Sequence, residues 1–363
     1  MAINEYKVYS FRDYIEVTTT IGKSRKIAPN SPPVLWSRGH RQEEWNLQPT
    51  LLRDVPFGAM NIFSDKISGR AVEEEVRRQH YLAKNYHFLS KDPKTNIGWY
   101  EVMQHHGVKT RLLDWSESTL HSLLFALECF FDNEKYRTND RIDSSPCVWI
   151  LEPIEWNMET FKYILSDQDL IDQCIESLEK GSFDMKKLQQ NYVGLSQVFD
   201  AYIGCVSAGH LRGIFNLSSI LEELQSREYA ELLYLLENGE LYYCLGFLLT
   251  FIYLSTKHRK WDHIMPLSIV ESYHSERIRA QKGAFSVFPY YEEDSAKQSL
   301  ASLGILLDAM EYMDKANHFL HKIVLNNADE IAFEVMNAGL NISWLYPEMP
   351  VVANAIEQRE IFY

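Results

Sequence analysis

What this chain lacks narrows it before any motif is read. It has only 5 cysteines in 363 residues, and none stands in a Cys-x-x-Cys pair. That leaves no zinc ribbon and predicts buried thiols in a reducing compartment. Positive charge is scarce: 36 Lys+Arg face 50 Asp+Glu, a formal net charge of -14. A field of that sign repels nucleic acid and anionic membrane, so general nucleic-acid binding is not expected. The longest apolar run reaches only from Leu241 to Leu254, short of the roughly 20 residues that span a bilayer. The start, Met1 to Lys7, has no apolar stretch behind a basic segment, so no signal peptide is expected. Together these predict a soluble, cytoplasmic protein with no membrane association. A Gly-x-Ser-x-Gly elbow, a Gly-rich phosphate loop ending in Lys-Ser/Thr and internal repeats are also missing.

What is present suffices for a large core: 46% of residues are hydrophobic and 13% aromatic. Tyr14 to Val17 reads as a short strand or helix, followed by a basic connector that ends at Pro32-Pro33. Val34 to His40 reads as a buried strand ending in a turn, and 72–89 as a helix. Leu120, Leu123, Leu124, Leu127, Phe130 and Phe131 recur at helical spacing behind Ser116 or Ser118, either a natural N-cap. Arg111 and Asp114 then fall on a turn feeding the helix. Cys147 to Leu151 reads as a strand stopped by Glu152-Pro153. From 157 to 262 the pattern becomes helical throughout, and Leu241 to Leu254 is apolar nearly all round. Strands return at Met265 to Val270, Gly283 to Pro289 and Phe319 to Val324, before a helix from Asp329 to Ala338 that Gly339 stops. The predicted class is α+β: a mixed or antiparallel strand core with flanking helices and a large helical insertion. The divisions are an N-terminal extension (1–33), a first strand-bearing half (34–156), the insertion (157–262) and a second half with a C-terminal α/β segment (263–363). The insertion offers a surface for a protein partner or for self-association.

Three clusters could carry chemistry. Arg38 stands where a strand meets Gly39; its guanidinium either grips a phosphate or carboxylate bidentately or holds the turn as a salt bridge. Gln104, His105, Thr110, Arg111 and Asp114 crowd ahead of the helix start, where free N-H groups favour an anion and His105 is placed to serve as hydrogen-bond donor or general acid/base. The alternative is that Asp114 caps the helix and pairs with Arg111 while His105 bonds a carbonyl. Arg277 and Gln281, four apart, share a helical face, and Gln281 either meets a ligand or satisfies backbone groups. His318 and His321 share a face only on a helix and have no third ligand nearby, so no metal is expected.

The pieces Trp36-Ser-Arg-Gly-His40, Trp45 to Arg53, Met103-Gln-His-His-Gly-Val-Lys-Thr-Arg-Leu-Leu-Asp-Trp-Ser116, Ser122 to Ala126 and Val148 to Leu151 resemble the FRG family, named for a Phe/Tyr-Arg-Gly motif. Arg277 to Phe285 and Gly339 to Pro347 extend the resemblance into the second half. Ser37 departs from the pattern, which has an aromatic residue there. The family is linked to bacterial and phage-related settings, which implies a bacterial or phage-defence effector. More distantly, the layout resembles ADP-ribosyltransferase folds. That resemblance implies NAD or a related nucleotide as ligand, with ADP-ribosyl transfer or NAD glycohydrolysis as the reaction. Arg38 would then bind pyrophosphate or nicotinamide ribose, and His105 and Thr110 would position ribose or amide. Gln104, Arg111, Arg277 and Gln281 would complete the nucleotide contacts. Gln281 stands where the third motif carries an acid, so Glu276 or Asp114 would have to stabilise the departing charge. The competing expectation is a non-catalytic nucleotide-sensing or protein-interaction module.

Overall fold

The computed structural model describes residues 4–24, 34–51, 53, 96–131, 144–157, 172, 176, 266–269, 276–288, 310 and 319–346. The elements in chain order are β1 (Asn4–Val8), α1 (Phe11–Ser24), β2 (Trp36–His40), α2 (Asn96–His105), β3 (Leu112–Ser116), α3 (Thr119–Ala126) and α4 (Glu128–Phe131). They continue as β4 (Cys147–Leu151), β5 (Leu267–Ile269), α5 (Glu276–Ala280), β6 (Gly283–Val287), β7 (Leu320–Leu325), α6 (Ala328–Asn337) and a 3-10 turn, Ile342–Trp344. The strands form one 7-stranded sheet in the order β1-β7-β4-β2-β3-β6-β5. Only β1 and β7 run parallel; every other neighbouring pair is antiparallel. The described residues are therefore α+β.

β4 explains the layering. Cys147-Val-Trp-Ile-Leu151 is buried at every position, as a central strand covered on both faces must be. Val148 and Ile150 join Tyr14 and Ile21 of α1, Leu123 and Leu124 of α3, and Ile331 and Val335 of α6 in one cluster. Cys147, Trp149 and Leu151 join Trp36, Leu113, Trp115 and Leu320 in the other. The period-2 alternation of a strand thus divides five apolar residues between two cores. α1 turns Tyr14, Thr18 and Ile21 inward, one stripe at helical spacing. The Tyr14 hydroxyl donates to the Thr119 carbonyl at 2.6 Å and so ties α1 to the start of α3.

Tyr14 to Val17, read as a short strand or a helix, belongs to a helix running from Phe11 to Ser24, and a strand, β1, precedes it. β1 was hard to see because Glu5 and Lys7 stay exposed and its only partner lies at Asn4↔His321 to Val8↔Leu325. Arg111 and Asp114 do not share a turn: Asp114 sits mid-strand in β3, and α3 begins only at Thr119. Ser118 is the N-cap, its side chain accepting from the His121 N-H at 3.4 Å. β3 was hard to read because Leu112 and Leu113 are adjacent and both buried, so the segment shows no plain alternation.

The ends of the expected insertion meet. Trp156 Nε1 donates to the Pro266 carbonyl at 2.6 Å. Asn157 Nδ2 donates to the Ser268 carbonyl and Ser268 N donates to Asn157 Oδ1, both at 2.9 Å. Residues 172 and 176 are helical; the rest of 158–262, including Leu241 to Leu254, lies outside the described residues, as does 72–89. Of the cysteines described, Cys147 is buried and Cys129 half-buried. No helix among the described residues is long and apolar enough to cross a membrane.

Candidate functional site

The sheet is weakest at its middle. β2 and β3 pair only at Ser37 opposite Ser116, where Ser37 Oγ also donates to the Ser116 carbonyl at 3.2 Å. Beyond that pair the two strands part, and a cleft of about 280 Å³ opens between them. It is lined by Arg38 and Gly39 of β2, Asp114 of β3, Glu101, Gln104 and His105 of α2, Ser122 and Phe125 of α3, and Ile278, Gln281 and Phe285 from the far side. Ser37 is buried against Ser116 at the apex of the opening.

Gly39 is a packing requirement. A Cβ there would lie 2.0 Å from the Ser122 carbonyl oxygen and 2.6 Å from the Ala126 nitrogen. α3 crosses β2 at that point, so only glycine lets the helix backbone rest on the strand.

Arg38 is anchored on one side. Its Nε donates to His40 Nε2 at 3.0 Å and its Nη1 to the Asp114 carbonyl at 2.7 Å, with Asp114 Oδ2 at 3.6 Å. Of the five N-H groups on a guanidinium, those bonds leave the Nη2 pair with no partner among the described residues. Burial is the largest influence on its acidity and pulls it below the ordinary arginine range, with the Asp114 charge opposing. Asp114 is itself half in water, its side chain 54% exposed.

α2 supplies a further part of the wall. Gln104 donates to Asp114 Oδ1 and accepts from Thr110 Oγ1, so its amide orientation is fixed from both ends. Thr110 is buried behind it and takes its own backbone support from Thr50. His105 is half-buried on the cleft wall, its ring edge-on to exposed His106 at 5.0 Å. Glu101, one turn earlier on the same face as His105, is 1% exposed and lines the cleft. A carboxylate that deep is expensive to bury and is a functional-site signal. Ser122 adds a hydroxyl with no hydrogen-bond partner among the described residues.

On the far side, Gln281 Nε2 donates to the Leu345 carbonyl at 2.9 Å, and its backbone carbonyl accepts from Ser116 Oγ at 2.6 Å. The following residue, Lys282, takes φ 50, a conformation uncommon for a side chain of that size. That turn swings Gln281 to the cleft edge.

The structure thus gathers Arg38, Gln104, His105, Asp114 and Gln281 on one cleft, although they come from distant segments. Thr110 stands one layer back. Arg111 does not line it; 3% exposed, it lies over the Tyr100 ring with its Cζ 5.9 Å from the centroid. Glu276 and Arg277 open α5 beside Ile278, and their side chains lie outside the description. Glu101 is the residue the sequence reading missed. The signal was there in the spacing of Glu101, Gln104 and His105, which puts all three on one face of any helix through them. Among the described residues no three His, Cys, Asp or Glu gather as a metal site, and His321 bonds Glu152 Oε1 at 2.7 Å.

An Arg-Gly pair inside a strand, pressed under a helix and sharing a cleft with a polar helix, is the class of site the fold defines. The family model of the FRG domain matches residues 34–135. That stretch contains both β2 and β3 and all of α2 and α3, so the chain carries an FRG domain that supplies most of the cleft wall, with Ile278, Gln281 and Phe285 added from outside it. No curated protein and no solved structure matches the chain.

Proposed function

We propose that this cleft binds NAD or a related nucleotide and cleaves the bond between nicotinamide and ribose, passing ADP-ribose to water or to an acceptor. The carrying observation is that Arg38 and the buried Glu101 line one cavity at the β2/β3 opening. In this reading Nη2 of Arg38, together with the second Nη1 hydrogen, takes a phosphate, since an end-on planar fork suits two oxygens. Gln104 and His105 contact ribose hydroxyls. Glu101 takes the place the sequence reading left to Glu276 or Asp114. As the C-N bond breaks, its electron pair leaves with neutral nicotinamide and C1′ of the ribose becomes cationic. A buried carboxylate stabilises that charge far better than one in water. At about 280 Å³ the cavity sits near the lower limit of the roughly 300–1,000 Å³ usual for small-molecule sites. It therefore suits the nicotinamide ribotide half of the dinucleotide, with the adenosine half lying outside.

A second reading, a site that senses a nucleotide without cleaving it, draws on Gln281. Where an acid was expected stands an amide, already bonded to the Leu345 carbonyl. Calorimetry with NAD separates binding from no binding. Arg38→Ala should lose the interaction while staying folded, and Arg38→Lys should not restore it, because an ammonium cannot replace the fork. Wild-type affinity in Arg38→Lys would contradict the assignment.

A further inference from the structure

We propose that His40 is a positioning residue for Arg38: its neutral ring, protonated on Nδ1, accepts the Arg38 Nε-H and fixes how the guanidinium enters the cleft. His40 and Arg38 lie two apart on β2 and so project from the same face. Arg38 Nε to His40 Nε2 is 3.0 Å. An arginine Nε carries its hydrogen in every state a protein meets, so Nε2 must present its lone pair. The remaining ring proton then sits on Nδ1, 3.1 Å from the Trp45 carbonyl, which accepts it. Both ring nitrogens are used, the residue is 3% exposed, and the Trp45 ring stands edge-on with centroids 6.0 Å apart. The tautomer is therefore dictated by its neighbours.

The surroundings keep that ring uncharged. The groups acting on it are Arg38 on its own strand, Arg53, and Lys322 of β7, all cations. The Cys147 thiol is its cross-strand neighbour on β4. Burial first, then Arg38 and Arg53, hold His40 well below the usual histidine range, against the Trp45 hydrogen bond. A second proton would sit on Nε2 and point at the Arg38 Nε-H, donor against donor. Protonation must therefore release Arg38 from its place. This makes ligand affinity conditional on a neutral His40.

The affinity arm of the test rests on the function proposed above; the spectroscopic arm does not. With NAD as probe, His40→Phe removes the acceptor and should weaken binding about tenfold or more, the scale of one hydrogen bond to a charged group. His40→Gln, whose Oε1 can accept from Arg38, should recover part of it. Wild-type affinity should fall as pH drops, with an inflection well below histidine's usual ~6.5 that is absent in His40→Gln. Independently, 15N spectra of the wild type at pH 7 should show a neutral, Nδ1-protonated His40. The Arg38 Nε-H should be protected from exchange in the wild type and lose that protection in His40→Phe. An Nε2-protonated or charged ring at pH 7, or an Arg38 Nε-H equally protected in His40→Phe, overturns the proposal. If the wild type binds no NAD, the nucleotide reading fails, and the two spectroscopic results still decide the role of His40.

Discussion

Gly39→Ala is the sharpest perturbation the fold allows, because a single methyl group must enter a contact whose two nearest atoms are helix backbone. The added carbon would stand 2.0 Å from the Ser122 oxygen, 2.6 Å from the Ala126 nitrogen and 3.0 Å from the Phe125 Cβ. A flexible side chain could swing away, but two atoms of a helix backbone cannot. α3 must lift off β2 by roughly an ångström or the strand must shift, and overpacking of this kind costs ~1–3 kcal/mol, sometimes more. With two contacts far inside van der Waals distance, about 3 kcal/mol or more is expected, a large part of the ~5–15 kcal/mol that holds a typical domain together. Urea unfolding followed by circular dichroism reads it directly. Gly339→Ala is the control: it has φ +82 and nothing within 4 Å of the added carbon, so it should lose only the ~1–2 kcal/mol of left-handed backbone strain. A Gly39→Ala loss below about 0.5 kcal/mol, the level of an ordinary surface change, would refute the close-packing account of the Arg-Gly pair.

Other expectations follow from the same geometry. His40 and His121 are both held below their ordinary range, His40 by burial and nearby cations and His121 by burial and Lys282. The unfolded chain therefore binds more protons than the folded one once pH falls under ~6.5, and stability should decline from there downward. Urea midpoints at pH 7.5 and 5.5 test this, and His40→Gln should flatten the slope. For the insertion, replacing 159–264 with a short Gly-Ser bridge keeps the Trp156–Pro266 and Asn157–Ser268 bonds. The shortened chain should fold and still bind NAD; loss of the folded state would mean that the segment belongs to the core.

Much of this fold was legible where burial writes a plain pattern. Cys147 to Leu151 is an unbroken apolar run because both of its faces are covered, and α3 announces itself through Ser118 and its leucines. β1 was illegible because its polar positions face outward and its partner is β7, at the other end of the chain. β3 was misread because Asp114, exposed in an interior strand, is explained only by the parting of β2. The same non-local feature decided the site. Arg38 could be singled out beside Gly39, but that its anchor is His40 behind it, and that Arg111 turns to Tyr100, depends on which faces the strands present. Glu101 was hidden among apolar neighbours although its spacing to Gln104 and His105 was in plain view.

The central claim is that Glu101 and Arg38 act on one bound dinucleotide, and release of free nicotinamide from NAD tests it most directly. Wild-type protein should release nicotinamide. Glu101→Gln keeps the shape and a polar group but removes the negative charge that the proposal sets against the cationic C1′ of the ribose. It should bind NAD within a few-fold of wild type while release falls by about 100-fold or more, the scale of losing one preorganised electrostatic contact. No nicotinamide from the wild type, or undiminished release from Glu101→Gln, would contradict the account.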